Sequence, residues 1–256
     1  MRDYNRGWFS YFDHRVYFPS HSAIYELMLN NGVFEPHVRN LIARLARPDT
    51  HVFDVGANIG LMAIPILSAH PAVHVTSIEP GPNVYKCLAE TRRQSKYNDR
   101  WTVINKAIAE TSGQLTFHEC LNGNDAFSGI RDTGRGGASR AIEVSAVRLD
   151  ALWQELGNPV VSVIKIDVEG AELGVLLGAP ECVEKNRPAI LIEWWPENYS
   201  TYGTQGESLL AFATRYEYRV FDAVGMTEVR DSCMLHVCHL SGREDFILVP
   251  KECKSV

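Results

Sequence analysis

A short apolar strand that runs straight into a glycine turn and then into an apolar helix constrains this chain more than any other feature. His51-Val52-Phe53-Asp54-Val55 is the strand, Gly56-Ala57-Asn58-Ile59-Gly60 the turn, and Leu61-Met62-Ala63-Ile64-Pro65-Ile66-Leu67 the segment that follows. A run with few polar interruptions must be covered on both faces, and strand–turn–helix repeated along a chain builds a parallel sheet between two helical layers. The repetition is present. VHVTSIEP gives a second strand, WTVINKAIA a third, VVSVIKIDVEG a fourth and PAILIEWW a fifth, with helical stretches near residues 149–156 and 170–185.

The remaining segments fit around that sheet. YEYRVFD and EDFILVP read as a closing strand pair, with ESLLAFATRY as the helix before them. QLTFHEC and AIEVSAVRL read as extra strands flanking SGIRDTGRGGASR, which is expected to be a mobile loop. SAIYELMLNNGVFEPHVRNLIARLARPD mixes helical spacing with Gly32 and Pro36, which predicts two helices separated by a turn and covering the entrance to the sheet. The expected fold class is α/β, a Rossmann-like sheet, mostly parallel with a C-terminal antiparallel strand, and helices on both faces. No fixed repeat or domain-sized linker interrupts the chain, so residues 1–256 are expected to form one domain, with 1–48 as an N-terminal helical cap.

Charge and composition narrow the function. At 256 residues one large α/β domain is common. A net charge of −6 argues against a general polyanion binder, so no nucleic acid is expected. No apolar run approaches the roughly 20 residues of a membrane span. MRDYNRGWFSYFDHR lacks the hydrophobic centre of a secretory signal, and a cytoplasmic location is the expectation. The six cysteines are spread through a chain too large to depend on disulfides, so reduced thiols are expected. The spacing of Cys233, His236, Cys238 and His239 matches no usual zinc knuckle, and a late strand or hairpin explains it better.

Open α/β sheets bind ligands beyond the C-terminal ends of their strands, and four such ends carry polar residues here. The glycine turn permits close backbone approach, and amides at the following helix start can hold a ligand carboxylate. About 20 residues later, Glu79 is placed to accept ribose hydroxyls. Asn105 ends the third strand, where it can meet an adenine edge or simply form a turn. Asp167 and Glu169 end the fourth strand, where acidic groups suit a cationic ligand or a nucleophile that must be oriented. Glu172 reads equally as a first-turn helix carboxylate.

Taken together, VFDVGANIG, SIEP, INKAIA, VIKIDVEGAELGVLLGA and ILIEWW resemble the FkbM family of class I methyltransferases over roughly residues 32–250. The resemblance implies S-adenosylmethionine as methyl donor, in a pocket involving Asp54, Gly56, Asn58, Gly60 and Glu79, with Asp167 near the reacting end. GVFEP is similar to the family's segment ahead of the first strand, so Glu35 either enters the donor pocket or caps a helix beside Pro36. O-methylation of a hydroxyl is implied, on a small-molecule or glycan acceptor such as a sugar or a specialised metabolite.

Methyl transfer from a sulfonium is an in-line displacement, served by positioning and timely proton removal. Asp167 and Glu169 are the leading candidates for that work. Glu193, at the fifth strand end, could join Asp167 in hydrogen-bonding the acceptor or in binding a divalent metal, and both options stand. His118 is a weaker candidate base. Trp194, Trp195, Tyr199 and Tyr202 could wall the acceptor, Arg131, Arg135 and Arg140 could grip an acidic one, and Trp8, Phe9, Tyr11, Phe12, Tyr17 and Phe18 could form a lid or ordinary packing. Two other functions fit less well: an inactive adenosyl-ligand binding module, and a nicotinamide oxidoreductase, which the GxNxG turn disfavours.

Overall fold

The computed structural model describes residues 7–253. The chain opens with a hairpin, β1 (Trp8–Tyr11) and β2 (His14–Tyr17), and then forms α1 (Ala23–Asn31) and α2 (Pro36–Leu45). β3 (His51–Val55), α3 (Ala63–Ala69), β4 (His74–Ile78), α4 (Pro82–Gln94) and β5 (Trp101–Ile104) follow in strict alternation. A side sheet comes next: β6 (Ala107–Ile108), β7 (Gly113–Cys120) and β8 (Ser139–Val147). The chain returns through α5 (Leu149–Glu155), β9 (Val161–Ile166), α6 (Glu172–Leu177), α7 (Pro180–Asn186), β10 (Ala189–Glu193) and α8 (Pro196–Tyr199). It closes with α9 (Glu207–Arg215), β11 (Tyr218–Asp222), α10 (Ser232–Leu240) and β12 (Asp245–Pro250).

The seven-stranded sheet has the order β11-β12-β10-β9-β3-β4-β5. β5, β4, β3, β9 and β10 pair in parallel, and β12 runs antiparallel to both β10 and β11. This is the class I methyltransferase arrangement, with helices on both faces. Chain order reverses between β3 and β9, the crevice where such sheets take ligands.

Strand alternation sorts the core into two halves. Phe53, Val55, Ile164, Ile166, Ile190, Ile192, Phe246 and Leu248 pack on the side of α5 to α10. Val52, Val163, Leu191, Ile247 and Val249 pack against α1 to α4. On this second side the same alternation carries Asp54, Ser77, Lys165 and Glu193 at the ends of β3, β4, β9 and β10. Asp54 sits opposite Ser77 and Lys165 in the strand register. A polar stripe therefore interrupts one face at its C-terminal edge.

Four expectations change. The N-terminal cap is not wholly helical: the β1–β2 hairpin packs on α4, with the Tyr17 N–H donating to Thr91 Oγ1 at 2.9 Å. Residues 1–6 of that span lie outside the described part. Among its aromatic residues Phe18 stacks on Tyr25 at 4.1 Å with Phe9 beside them, while Phe12 stays exposed. WTVINKAIA is split between two sheets, because Asn105 Nδ2 donates to the carbonyls of Glu79 and Pro80 and turns the chain away after β5.

The 170–185 helix is two short ones, broken at Gly178-Ala179-Pro180. The Cys/His segment is helical rather than extended: Asp231 caps α10 by accepting from the Met234 N–H at 2.9 Å, and Leu235 and Cys238 form its buried stripe. All six cysteines are free thiols. Among the described residues no helix is long and apolar enough to cross a membrane.

Candidate active site at the strand ends

A cavity of about 370 Å³ opens where β3, β4, β9 and β10 end, within the usual range for small-ligand sites. Glu35, Gly56, Asn58, Glu79, Asp167, Glu169 and Glu193 all line it. Asp54, Gly60 and Asn105 do not line it, and each holds the wall from behind.

The glycine turn is a closed piece of backbone. The Gly56 and Ala57 N–H groups donate to the Ile78 carbonyl, that of Gly60 to Ala57, and that of Ile59 to Asn58 Oδ1. The Asn58 N–H donates to Glu79 Oε2 at 3.0 Å. These five amides are spent internally, so residues 56–60 offer a ligand shape and side chains rather than free N–H donors. Asn58 holds a left-handed φ of 47°, which a short amide side chain tolerates. Gly56 lies at φ 79°, and a Cβ there would fall 1.7 Å from the Asp167 carbonyl oxygen. Its glycine is required by the end of β9. Gly60 is required by Trp101 and Leu88, which a Cβ would meet at 2.7 and 2.8 Å.

Glu79 is buried, with Oε1 accepting from the Gly81 N–H at 2.8 Å and Oε2 from Asn58. Each oxygen keeps capacity for a further hydrogen bond, and Glu79 lines the cavity. Burial pushes its carboxyl up to about 7, and the two amides oppose that shift.

Asp54 lies behind the turn, accepts from Ser77 Oγ, and leaves Oδ1 without a hydrogen-bond partner. Burial raises its pKa while Lys165 pulls it back. Lys165 is buried on the same face and donates to Asp167 Oδ2 at 2.8 Å. Burial alone would lower this lysine, but Asp167, Glu35 and Asp54 outweigh it and hold the ammonium charged.

Beyond Lys165 the chain makes a strained turn. Glu169 adopts φ 56°, and Gly170 follows at φ 102°. That turn aims Glu169 at the cavity, and Glu172 fixes it by accepting from the Val168 and Gly170 N–H groups. Glu172 is thus a structural cap. One oxygen each of Asp167, Glu169 and Glu193 lies within 4.8 Å of the others. Asn198 Nδ2 bridges Glu169 Oε2 and Glu193 Oε2, at 3.0 and 3.1 Å. Burial followed by Asp167 pushes Glu169 up to about 8, and the same causes in the same order raise Glu193 well above its ordinary value.

Glu35 begins α2 at φ 34° and makes no capping hydrogen bond there. Its side chain instead lines the cavity, where burial pushes it up to about 8 against the pull of Lys165.

The Gly/Arg-rich loop is pinned at two arginines. Arg135 Nη1 donates to Glu169 Oε2 at 3.1 Å and to Asn198 Oδ1 at 2.9 Å, with its guanidinium over Phe127. Arg131 lies over Tyr202, whose hydroxyl accepts from the Arg131 N–H. Arg140 pairs with Glu119, away from the cavity. His118 does not line the cavity, and its backbone pairs with Gly129. Trp194 is core, its Nε1 donating to the Gly206 carbonyl, and Trp195, Tyr199 and Tyr202 also stand outside the lining. The aromatic wall is formed by Phe34, Phe117 and Phe127.

Sequence reasoning missed Lys165, Arg135 as the inward arginine, and Asp125, which lines the cavity and accepts from Ser22 Oγ at 3.3 Å. Lys165 had a readable signal: a lysine alternating with apolar residues in a buried strand must find a carboxylate. Asp125 had none, because the loop that carries it has no periodicity.

Residues 54–220 match the methyltransferase FkbM domain family. The chain is 29% identical over 161 residues to the 2-O-methyltransferase NoeI of Sinorhizobium fredii, a match covering 58% of this chain and 65% of that protein. It is also 29% identical over 161 residues to the 31-O-demethyl-FK506 methyltransferase FkbM of Streptomyces tacrolimicus, covering 53% and 61%. The chain thus spans less than two thirds of either relative. A solved methyltransferase FkbM from Methylobacillus flagellatus superposes with a TM-score of 0.49 at 14% identity, over 82% of this chain and 50% of that one.

Proposed function

The chain belongs to the FkbM methyltransferase domain family, and from that premise we propose that it transfers a methyl group from S-adenosylmethionine to a hydroxyl of a sugar, glycan or specialised metabolite. The observation that carries this reading is a single cavity lined both by Glu79 and Asn58 and by the cluster of Asp167, Glu169 and Glu193. The donor set fits the cosubstrate: a carboxylate with free lone pairs for ribose hydroxyls, and an acidic floor for a cation. The 2-O- and 31-O- positions in the relatives' names support oxygen as the methylated atom.

S-adenosylmethionine supplies an electrophilic methyl on a positively charged sulfur. Glu79 holds the ribose, and Gly56 lets the turn lie against β9 so that the donor loop and the fourth strand end share one floor. Glu169 is the proposed base. Arg135 and Asn198 both engage its Oε2, which leaves Oε1 to take a hydroxyl proton as the carbon–oxygen bond forms and the methyl carbon–sulfur bond breaks, with S-adenosylhomocysteine as the leaving group. Asp167, fixed by Lys165, orients the acceptor, and Glu193 accepts a second hydrogen bond from it. Phe127 and Phe34 exclude water beside the reacting atoms.

Calorimetry with S-adenosylmethionine, S-adenosylhomocysteine and NAD, followed by mass spectrometry of hydroxyl acceptors, tests the reading. The expected result is binding of both adenosyl ligands, no binding of NAD, and a methylated product. Binding without methylation of any hydroxyl compound would make the chain an inactive adenosyl-ligand module.

A further inference from the structure

Asp125 reaches the cavity from outside the strand ends. It stands on a short helical turn (Asp125–Phe127) in the loop between β7 and β8, and it lines the cavity although it is only 7% exposed. Fixed contacts hold it there. Gly123 lies so close to the His21 carbonyl that a Cβ would fall 1.6 Å from its oxygen, and the Gly123 carbonyl accepts from the Ala23 N–H at 2.7 Å. Ser22, just ahead of α1, donates to Asp125 Oδ2. Burial raises the Asp125 carboxyl to about 6, and its own N–H, Ser22 and the neighbouring Asn58 side chain oppose the shift. Oδ1 is nonetheless buried without a donor in hydrogen-bonding geometry among the described residues. A buried acceptor left alone is rare and costly, and one that belongs to a cavity wall is explained by a donor that arrives with the ligand.

We infer, resting on the methyl-donor reading above, that Asp125 is a second carboxylate for the ribose of the donor, its Oδ1 accepting from one ribose hydroxyl while Glu79 accepts from the other. Two observations select the ribose. The charge of Asp125 adds to burial in raising Glu79, so the two carboxylates are neighbours. Each Glu79 oxygen already takes one backbone N–H, and a second acceptor beside it lets both hydroxyls of a diol be met. The connectivity of the donor excludes its ammonium as the partner. Sulfur stands between ribose and amino acid, so with the diol at Glu79 and the sulfonium at the acidic floor the ammonium lies beyond the sulfur, away from Asp125. The contact would tie the donor to α1 through Ser22, and so to elements that no strand end carries.

Calorimetry with S-adenosylhomocysteine and with its 2′-deoxy and 3′-deoxy analogues tests the contact in the wild type, Asp125→Ala and Asp125→Asn, with folding checked by circular dichroism. Asp125→Ala should weaken S-adenosylhomocysteine binding by roughly ten- to a hundredfold, the worth of a hydrogen bond to a charged group. Asp125→Asn, which keeps an acceptor but not the charge, should cost less. For one of the two deoxy analogues the loss should vanish, because the hydroxyl that Oδ1 holds is gone. If Asp125→Ala does not fold, the same comparison across the three ligands is read in Asp125→Asn. Unchanged affinity in the folded variant, or an equal loss for all three ligands, overturns the inference and leaves the methyl-donor reading standing. Failure of the folded wild type to bind S-adenosylhomocysteine overturns that reading, and the inference with it.

Discussion

Lys165 and Asp54 face each other in register across β9 and β3, a buried ammonium beside a buried carboxylate whose Oδ1 has no hydrogen-bond partner. The pair lies directly behind the glycine turn. Lys165 also reaches forward to Asp167, so a single cation ties the wall of the site to its floor.

Replacing that cation tests the arrangement. Lys165→Met should destabilise the protein by about 3–5 kcal/mol at neutral pH, because the buried Asp54 and the partly exposed Asp167 lose their counter-charge. Burial already raises Asp54 and Lys165 pulls it back, so without the lysine its folded-state pKa rises further and the penalty should shrink as pH falls and Asp54 takes up a proton. Urea melts at pH 5.5 and 7.5 measure the difference. An equal loss at both values would show that packing, not charge, sets the cost.

The glycines separate in kind. Gly56→Ala should lower stability by more than about 3 kcal/mol, since the new methyl would overlap the Asp167 carbonyl and the residue must keep φ 79°. Gly203→Ala should cost only about 1–2 kcal/mol, because its φ of 72° is unfavourable but nothing lies within 4 Å. Thermal melts of the two variants decide it, and similar losses would remove the close approach as the cause.

Glu79→Ala should weaken S-adenosylmethionine binding by one to two decades, corresponding to about 1.5–3 kcal/mol for a charge-assisted hydrogen bond. It should also lower stability, because the Asn58 and Gly81 N–H groups lose their acceptor. Calorimetry and melting on the same preparation read both effects. Unchanged donor affinity would take Glu79 out of the pocket.

Stability of the ligand-free protein should fall between about pH 6 and pH 8.5. Glu35 and Glu169 stand at about 8, and Glu79 and Glu172 at about 7, all above their unfolded values because burial disfavours the charge. Over that range the folded state binds more protons than the unfolded one, so raising pH works against it. A melting temperature that climbs through this interval would contradict the burial of these carboxyls.

Much of this was readable from the chain because alternation and strand order are local signals. VIKIDVEG and VFDVG fix the neighbouring strand ends, and the polar residues at those ends line or back one cavity. Asn105 could be read as an adenine contact or as a turn residue because only its position was visible, and its amide serves the turn that sends the chain to the side sheet. The Cys/His segment misled because its alternating hydrophobicity is short, and the cap at Asp231 decides the helix. Asp125, and Arg135 as the one of three candidate arginines that turns inward, were illegible for a different reason. Long-range contacts bring them in, and neither the short turn at Asp125 nor the Gly/Arg-rich loop after it carries a period from which to infer them.

The polar stripe has a consequence for how the gene can change. In β9, Ile164 and Ile166 serve one face while Val163 and Lys165 serve the other, so scaffold and chemistry occupy alternate codons of the same strand. A substitution on one face can then leave the residues of the other face in place. A one-residue insertion or deletion cannot, because it would turn Lys165 into the apolar layer beneath α6 and send an isoleucine into the acidic floor. Length variation among descendants of this chain should accumulate in the surface connections and spare β3, β9 and β10.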